Sequence, residues 1–174
     1  MDMRKINFQH GLLTVIAVAL LAFTMSSCDN MSKKRACKHW SKAITHQFPN
    51  TNWAFEEEVL EFPFDIEDTS RFYDISVILQ YDTSVATLRD IPLSLTLSAP
   101  DGMKSFCTSH FLLDKANNPD IKMLEANTAE LEVVVYPHRK LKAPGTHTLT
   151  VYRRAEKADN YGFLNLTTKV KVAK

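Results

Sequence analysis

Stretch after stretch of this chain alternates apolar and polar residues with a period of two, and that rhythm restricts the fold more than any other feature. Leu60, Phe62, Phe64 and Ile66 alternate in this way, as do Tyr73, Ile75, Val77, Leu79 and Tyr81. Ile91, Leu93, Leu95 and Leu97 do the same with Ser94, Thr96 and Ser98 between them. A period of two places every second side chain on one face, so each run predicts a half-buried β-strand. Further runs follow from Met103 to Leu113, over Leu131, Val133 and Val135, over His147, Leu149 and Val151, and from Phe163 to Val172 with Leu164, Leu166, Thr168, Val170 and Val172 on one face.

Turn signals separate the runs. Pro100-Asp101-Gly102 is a tight turn, and Pro144-Gly145 is another. Pro63 lacks an amide donor, which marks the Val59–Ile66 run as an edge strand. Lys115 to Asn127 contains Asn117-Asn118-Pro119-Asp120 and little periodicity, and reads as a loop with one helical turn at most. Short strands at regular spacing without helical insertions predict an all-β fold, an antiparallel β-sandwich of immunoglobulin-like or jelly-roll type.

The amino terminus reads differently. Arg4 and Lys5 precede an uncharged apolar stretch from Gly11 to Met25, the order of a secretory signal. About 15 residues are too few to cross a hydrocarbon core, which takes about 20 in a helix. Met25-Ser26-Ser27-Cys28 closes the stretch and resembles the lipobox of bacterial lipoproteins, in which small residues precede a cysteine that receives diacylglycerol. Residues 1–27 are therefore expected to be a signal peptide, with Cys28 as the lipid-bearing residue. Residues 28–52 form a tether, and residues 53–174 form the sandwich domain.

Within the tether, Cys37, Trp40, Ile44 and Phe48 fall at helical spacing between lysines, and Pro49-Asn50 ends the run. This predicts a short amphipathic helix from Ser32 to Phe48. Lys33, Lys34, Arg35, Lys38 and Lys42 make the segment basic: it either rests on lipid headgroups or is simply solvated. Cys37 and Cys107 are left over in a compartment that permits disulfides, so either they are bridged or both are unpaired thiols.

Charge is balanced, with 21 Lys and Arg against 20 Asp and Glu, and gives no general argument for nucleic acid. The acidic residues from Glu56 to Asp68 fit a solvated strand edge better than a paired-carboxylate site. With four glycines there is no phosphate-cradling loop, and His39, His46, His110, His138 and His147 show no metal-ligand spacing. No catalytic residue, metal, cofactor or small-molecule substrate is expected.

Several segments carry a resemblance to a known family: Phe48-Pro-Asn-Thr-Asn-Trp53, Glu61-Phe-Pro-Phe-Asp-Ile-Glu-Asp-Thr-Ser70, Tyr73-Asp-Ile-Ser-Val-Ile-Leu-Gln-Tyr81, Ala99-Pro-Asp-Gly102 and Pro144-Gly-Thr-His-Thr-Leu149. Together they resemble the GldH family of gliding-motility lipoproteins of the Bacteroidetes, as a divergent member. Thr87–Leu93 and Lys115–Leu124 depart from the family pattern, and Arg153 or Arg154 corresponds to a family arginine in the penultimate strand. The resemblance implies a non-catalytic, lipid-anchored envelope protein whose partners are the membrane, through Cys28, and envelope proteins of a motility or secretion apparatus; basic Lys33-Lys34-Arg35 stands where an acidic surface-export signal would follow Cys28, which favours a periplasm-facing position.

The Lys115–Leu124 loop is the expected partner contact. Asn117, Asn118 and Asp120 would offer hydrogen bonds, and Ile121 and Met123 would offer apolar contact. The alternative function is a glycan- or peptide-binding module, for which Tyr136, Tyr152 and Tyr161 are the candidate exposed aromatics.

Overall fold

The computed structural model of the protein describes residues 40–54, 59–86, 88–154 and 160–174. Ser41–Lys174 forms one compact unit. Its strands are β1 (Ser41–Gln47), β2 (Asn52–Trp53), β3 (Val59–Ile66), β4 (Phe72–Asp82), β5 (Asp90–Ser98), β6 (Lys104–Leu112), β7 (Lys122–Met123), β8 (Thr128–Lys140), β9 (Gly145–Arg153), β10 (Asn160–Tyr161) and β11 (Phe163–Val172).

All pairings are antiparallel. One sheet runs β1-β11-β4-β8-β7 and the other β3-β9-β5-β6, with β2 and β10 as a small separate pair. The long strands, numbered one to eight in chain order, stand as 1-8-3-6 and 2-7-4-5. That interleaving makes a β-sandwich with jelly-roll connectivity.

The alternating runs explain the core. In β3 every second residue, Leu60, Phe62, Phe64 and Ile66, is buried, while Val59, Glu61, Pro63 and Asp65 are exposed. Tyr73, Ile75, Val77, Leu79 and Tyr81 of β4 face Ile91, Leu93, Leu95 and Leu97 of β5 across the sandwich interior, all buried. β3 is an edge strand, as Pro63 predicts. Pro92 lies in an inner strand, but it stands where the β9 ladder ends at Arg153: its carbonyl still accepts the Arg154 amide, and its missing donor costs only the return bond at the end of that ladder.

Two expectations need correction. The helix expected over Ser32–Phe48 begins outside the described residues, and its later part, Ser41–Gln47, is strand β1, paired with β11. Trp40, Ile44 and Phe48 are four apart, and four is a multiple of two, so the same spacing also suits one face of a strand, and Ile44 lies within β1. In β1 the even positions Lys42, Ile44 and His46 are indeed the half-buried ones. The folded unit thus takes in residues from the stretch expected to be tether. In β11, a register shift between Phe163 and Asn165 makes Leu164 an inserted residue. Phe163 and Leu166 are both fully buried as a result, and Leu164 drops out of the alternation.

The sandwich has two distinct ends. Ser41 pairs with Lys171, Val172 with Tyr73 and Phe72 with Lys140, so the chain comes into the fold at the same end as the start of β4; this is called the near end. Phe163 pairs with Tyr81 and Asp82 with Thr128 at the far end.

Candidate functional site

The far end holds a cleft of about 590 Å³ lined by Tyr81, Leu88, Arg89, Leu113, Asp114 and Met123, among others. It forms where the ends of β4 and β6 meet the start of β5 and the loop that follows β6. Tyr81 closes its floor: the phenol donates to the Leu113 carbonyl at 3.2 Å. Burial, and secondarily the Asp114 carboxylate, push that phenol above its ordinary range, so it is a fixed neutral donor.

Asp114 organises the loop. One carboxylate oxygen accepts the Ala116 amide at 3.0 Å, and the other accepts the Asn117 side-chain amide at 2.9 Å and meets Arg89 Nη1 at 3.3 Å. Arg89 reaches into solvent, with a side chain 81 % exposed. The cleft therefore combines an apolar wall of Leu88, Leu113 and Met123 with one charged pair at its mouth. No paired nucleophile and base stands in it, and among the described residues no group of three or more His, Cys, Asp or Glu could hold a metal ion.

The expected contact residues separate by role. Asn118 donates its side-chain amide to the Leu112 carbonyl at 2.8 Å and accepts the Asp120 amide at 3.1 Å, so its side chain is committed to shaping the loop. Asn117 is bound to Asp114. Ile121 is buried and closes the core, whereas Met123 is 37 % exposed on β7 and lines the cleft. Of the Lys115–Leu124 segment, Lys115 and Met123 line the cleft. Tyr81, Arg89, Leu113 and Asp114 carry no local signal in the sequence, since the cleft is made by segments distant along the chain.

Cys28 and Cys37 lie outside the described residues. Cys107 is half-buried on β6, with Sγ 3.7 Å from the Val135 carbonyl oxygen. Of the three tyrosines that a glycan-binding face would use, Tyr136 is buried, its hydroxyl donating to the carbonyls of Ser105 at 2.8 Å and Leu95 at 3.3 Å. Burial, reinforced by Cys107, raises its phenol far above the usual range. Tyr152 and Tyr161 are exposed. No described helix is long and apolar enough to cross a membrane.

Arg153, not Arg154, is the buried arginine of β9. It donates to the Trp53 carbonyl at 2.8 Å and the Ala54 carbonyl at 3.4 Å, with its guanidinium carbon 5.5 Å from the Trp53 ring centroid. Trp53 in turn stacks on Phe48 at 4.9 Å and meets Phe163 edge-on at 6.3 Å. This knot fastens the segment between β1 and β3 to both β9 and β11, and is structural in its geometry.

No family model matches the chain, and no curated protein does. Among solved structures, one of infectious bursal disease virus, Gx strain, aligns at 13% identity over 78% of this chain and 32% of its own, with a TM-score of 0.45. A non-crystalline cellulose-specific carbohydrate-binding module, CBM28, aligns at 12% identity over 76% of this chain and 73% of its own, also with a TM-score of 0.45. Dimeric latent PorU from Porphyromonas gingivalis aligns at 10% identity over 79% of this chain and 13% of its own, with a TM-score of 0.38. The chain spans about a third of the viral protein it matches and about an eighth of PorU. Likeness at these values says nothing of function.

Proposed function

We propose that this chain is a lipid-anchored, non-catalytic protein of the bacterial cell envelope that holds a partner protein in the far-end cleft. The observation that carries the reading is the polarity of the fold. Ser41 lies at the near end, and the cleft lined by Met123, Leu113 and Arg89 lies at the opposite end. With lipid on Cys28, the anchor would lead into the near end and leave the cleft free to meet a periplasmic partner. The Met25-Ser26-Ser27-Cys28 sequence supports the anchor, and the resemblance to GldH lipoproteins supports a partner within a motility or secretion apparatus.

A photo-crosslinking residue placed at Met123 of the full chain in its own envelope tests this. The expected result is a discrete crosslinked protein, absent when the same residue is placed at Lys142 near the other end. Equal crosslinking from both positions contradicts the reading. Binding of a glycan by the intact protein, without any crosslinked protein, would favour a carbohydrate-binding module.

A further inference from the structure

We infer that the free edge of β6 pairs with β6 of a second copy of this chain, antiparallel and centred on Cys107. β6 ends its sheet, and its pairing with β5 runs without a register shift from Asp90–Leu112 to Ser98–Lys104. The ladder phase is fixed at both ends. The Ala99 amide donates to Met103 at 2.8 Å and the Leu113 amide to Arg89 at 2.8 Å, so odd positions of β6 turn their backbone groups toward β5. The amides and carbonyls of Lys104, Phe106, Thr108 and His110 consequently point outward. At Leu112 the outward carbonyl is occupied by the Asn118 side chain. What is left is a flat edge, Lys104 to His110, without proline or bulge, which is a template for another strand.

Three observations select a second copy as the strand that fills it. The midpoint of the free edge is Cys107, so a two-fold centred there uses all the outward groups: Phe106 bonds Thr108 of the copy, and Lys104 bonds His110 of the copy, each twice. Charge is complementary in that register. His110 Nδ1 sits 3.1 Å from Asp90, and the Lys104 ammonium of one copy meets that pair in the other. Phe106, 74 % exposed, lies diagonal to its symmetry mate and covers it. The two four-stranded sheets would join into one, independently of whether Cys28 bears lipid.

The register predicts a chemical signature. Cys107 faces its own symmetry mate in a non-hydrogen-bonded pair, where Cα atoms lie about 4.5 Å apart, close enough for a disulfide under mild oxidation. The full chain carrying Cys37→Ser, purified in detergent, should sediment as a dimer. Oxidation with copper phenanthroline should yield a covalent dimer that Cys107→Ser abolishes. Thr108→Pro removes an outward amide and leaves the β5 ladder intact, so it should give a monomer with an unchanged far-ultraviolet spectrum. If that variant fails to fold, Phe106→Lys should give the monomer. A monomeric parent protein overturns the inference, as does a dimer that survives these variants. Crosslinking of Cys107 to a different polypeptide overturns it in favour of another chain on the edge.

Discussion

The guanidinium of Arg153 lies against the Trp53 ring while donating to the Trp53 backbone carbonyl at 2.8 Å, so one side chain holds both the ring and the main chain of the segment that leads into β3. A planar fork that is always charged can do both at once, which a lysine ammonium cannot. Replacing Arg153 by Ala should lower unfolding free energy by about 2–4 kcal/mol, since it opens a buried space and strands a buried carbonyl. Arg153→Lys should recover less than half of the loss. Urea titration followed by tryptophan fluorescence checks both values, because the emission of fully buried Trp53 reports on the same knot.

The loop after β6 should divide cleanly under mutation. Asn118→Ala removes the side chain that satisfies the Leu112 carbonyl and should cost about 0.5–1.5 kcal/mol of stability. Met123→Asp, on the wall of the cleft, should leave the thermal midpoint within about 2 °C, a shift of under 0.5 kcal/mol for a domain of this size, and abolish recovery of the partner. Loss of the partner in Asn118→Ala at unchanged stability would contradict the assignment of roles.

Acid should weaken the fold through two turn carboxylates. Asp68 accepts the hydroxyl and the amide of Ser70 and, less strongly, the Arg71 guanidinium, and these hold its carboxyl below the ordinary range. Asp82 is lowered in the same way by Ser84. A depressed carboxyl contributes stability that is present above the unfolded value of about 3.9 and is lost as pH falls through the lower folded value. Urea midpoints should therefore fall between about pH 5 and pH 2, and more steeply than in an Asp68→Asn, Asp82→Asn double variant. Parallel curves for the two proteins would refute this.

Much of the sandwich is legible in the sequence because alternation acts locally. β3 spans Val59–Ile66 and β11 spans Phe163–Val172, as their runs predict, and β4 and β5 extend their runs by one residue at each end, within the ordinary fraying of assigned boundaries. Periodicity fails where it is ambiguous. The spacing of Trp40, Ile44 and Phe48 suits helix and strand alike, and only pairing with β11 decides for the strand. The single inserted residue at Leu164 has no mark in the sequence, since either of two adjacent apolar residues could face inward. The cleft was half legible. The unpatterned Lys115–Leu124 segment supplies Lys115 and Met123 to its lining, but Tyr81 and Arg89 reach the same space only through the sandwich topology, and Ile121 belongs to the core.

The anchor on Cys28 is the claim on which the proposed role depends, and metabolic labelling with a fatty acid measures it directly. The full chain should incorporate label into a form shortened by residues 1–27, and Cys28→Ala should incorporate none and stay at full length. Label retained by Cys28→Ala, or a shortened and unlabelled parent protein, would contradict the account.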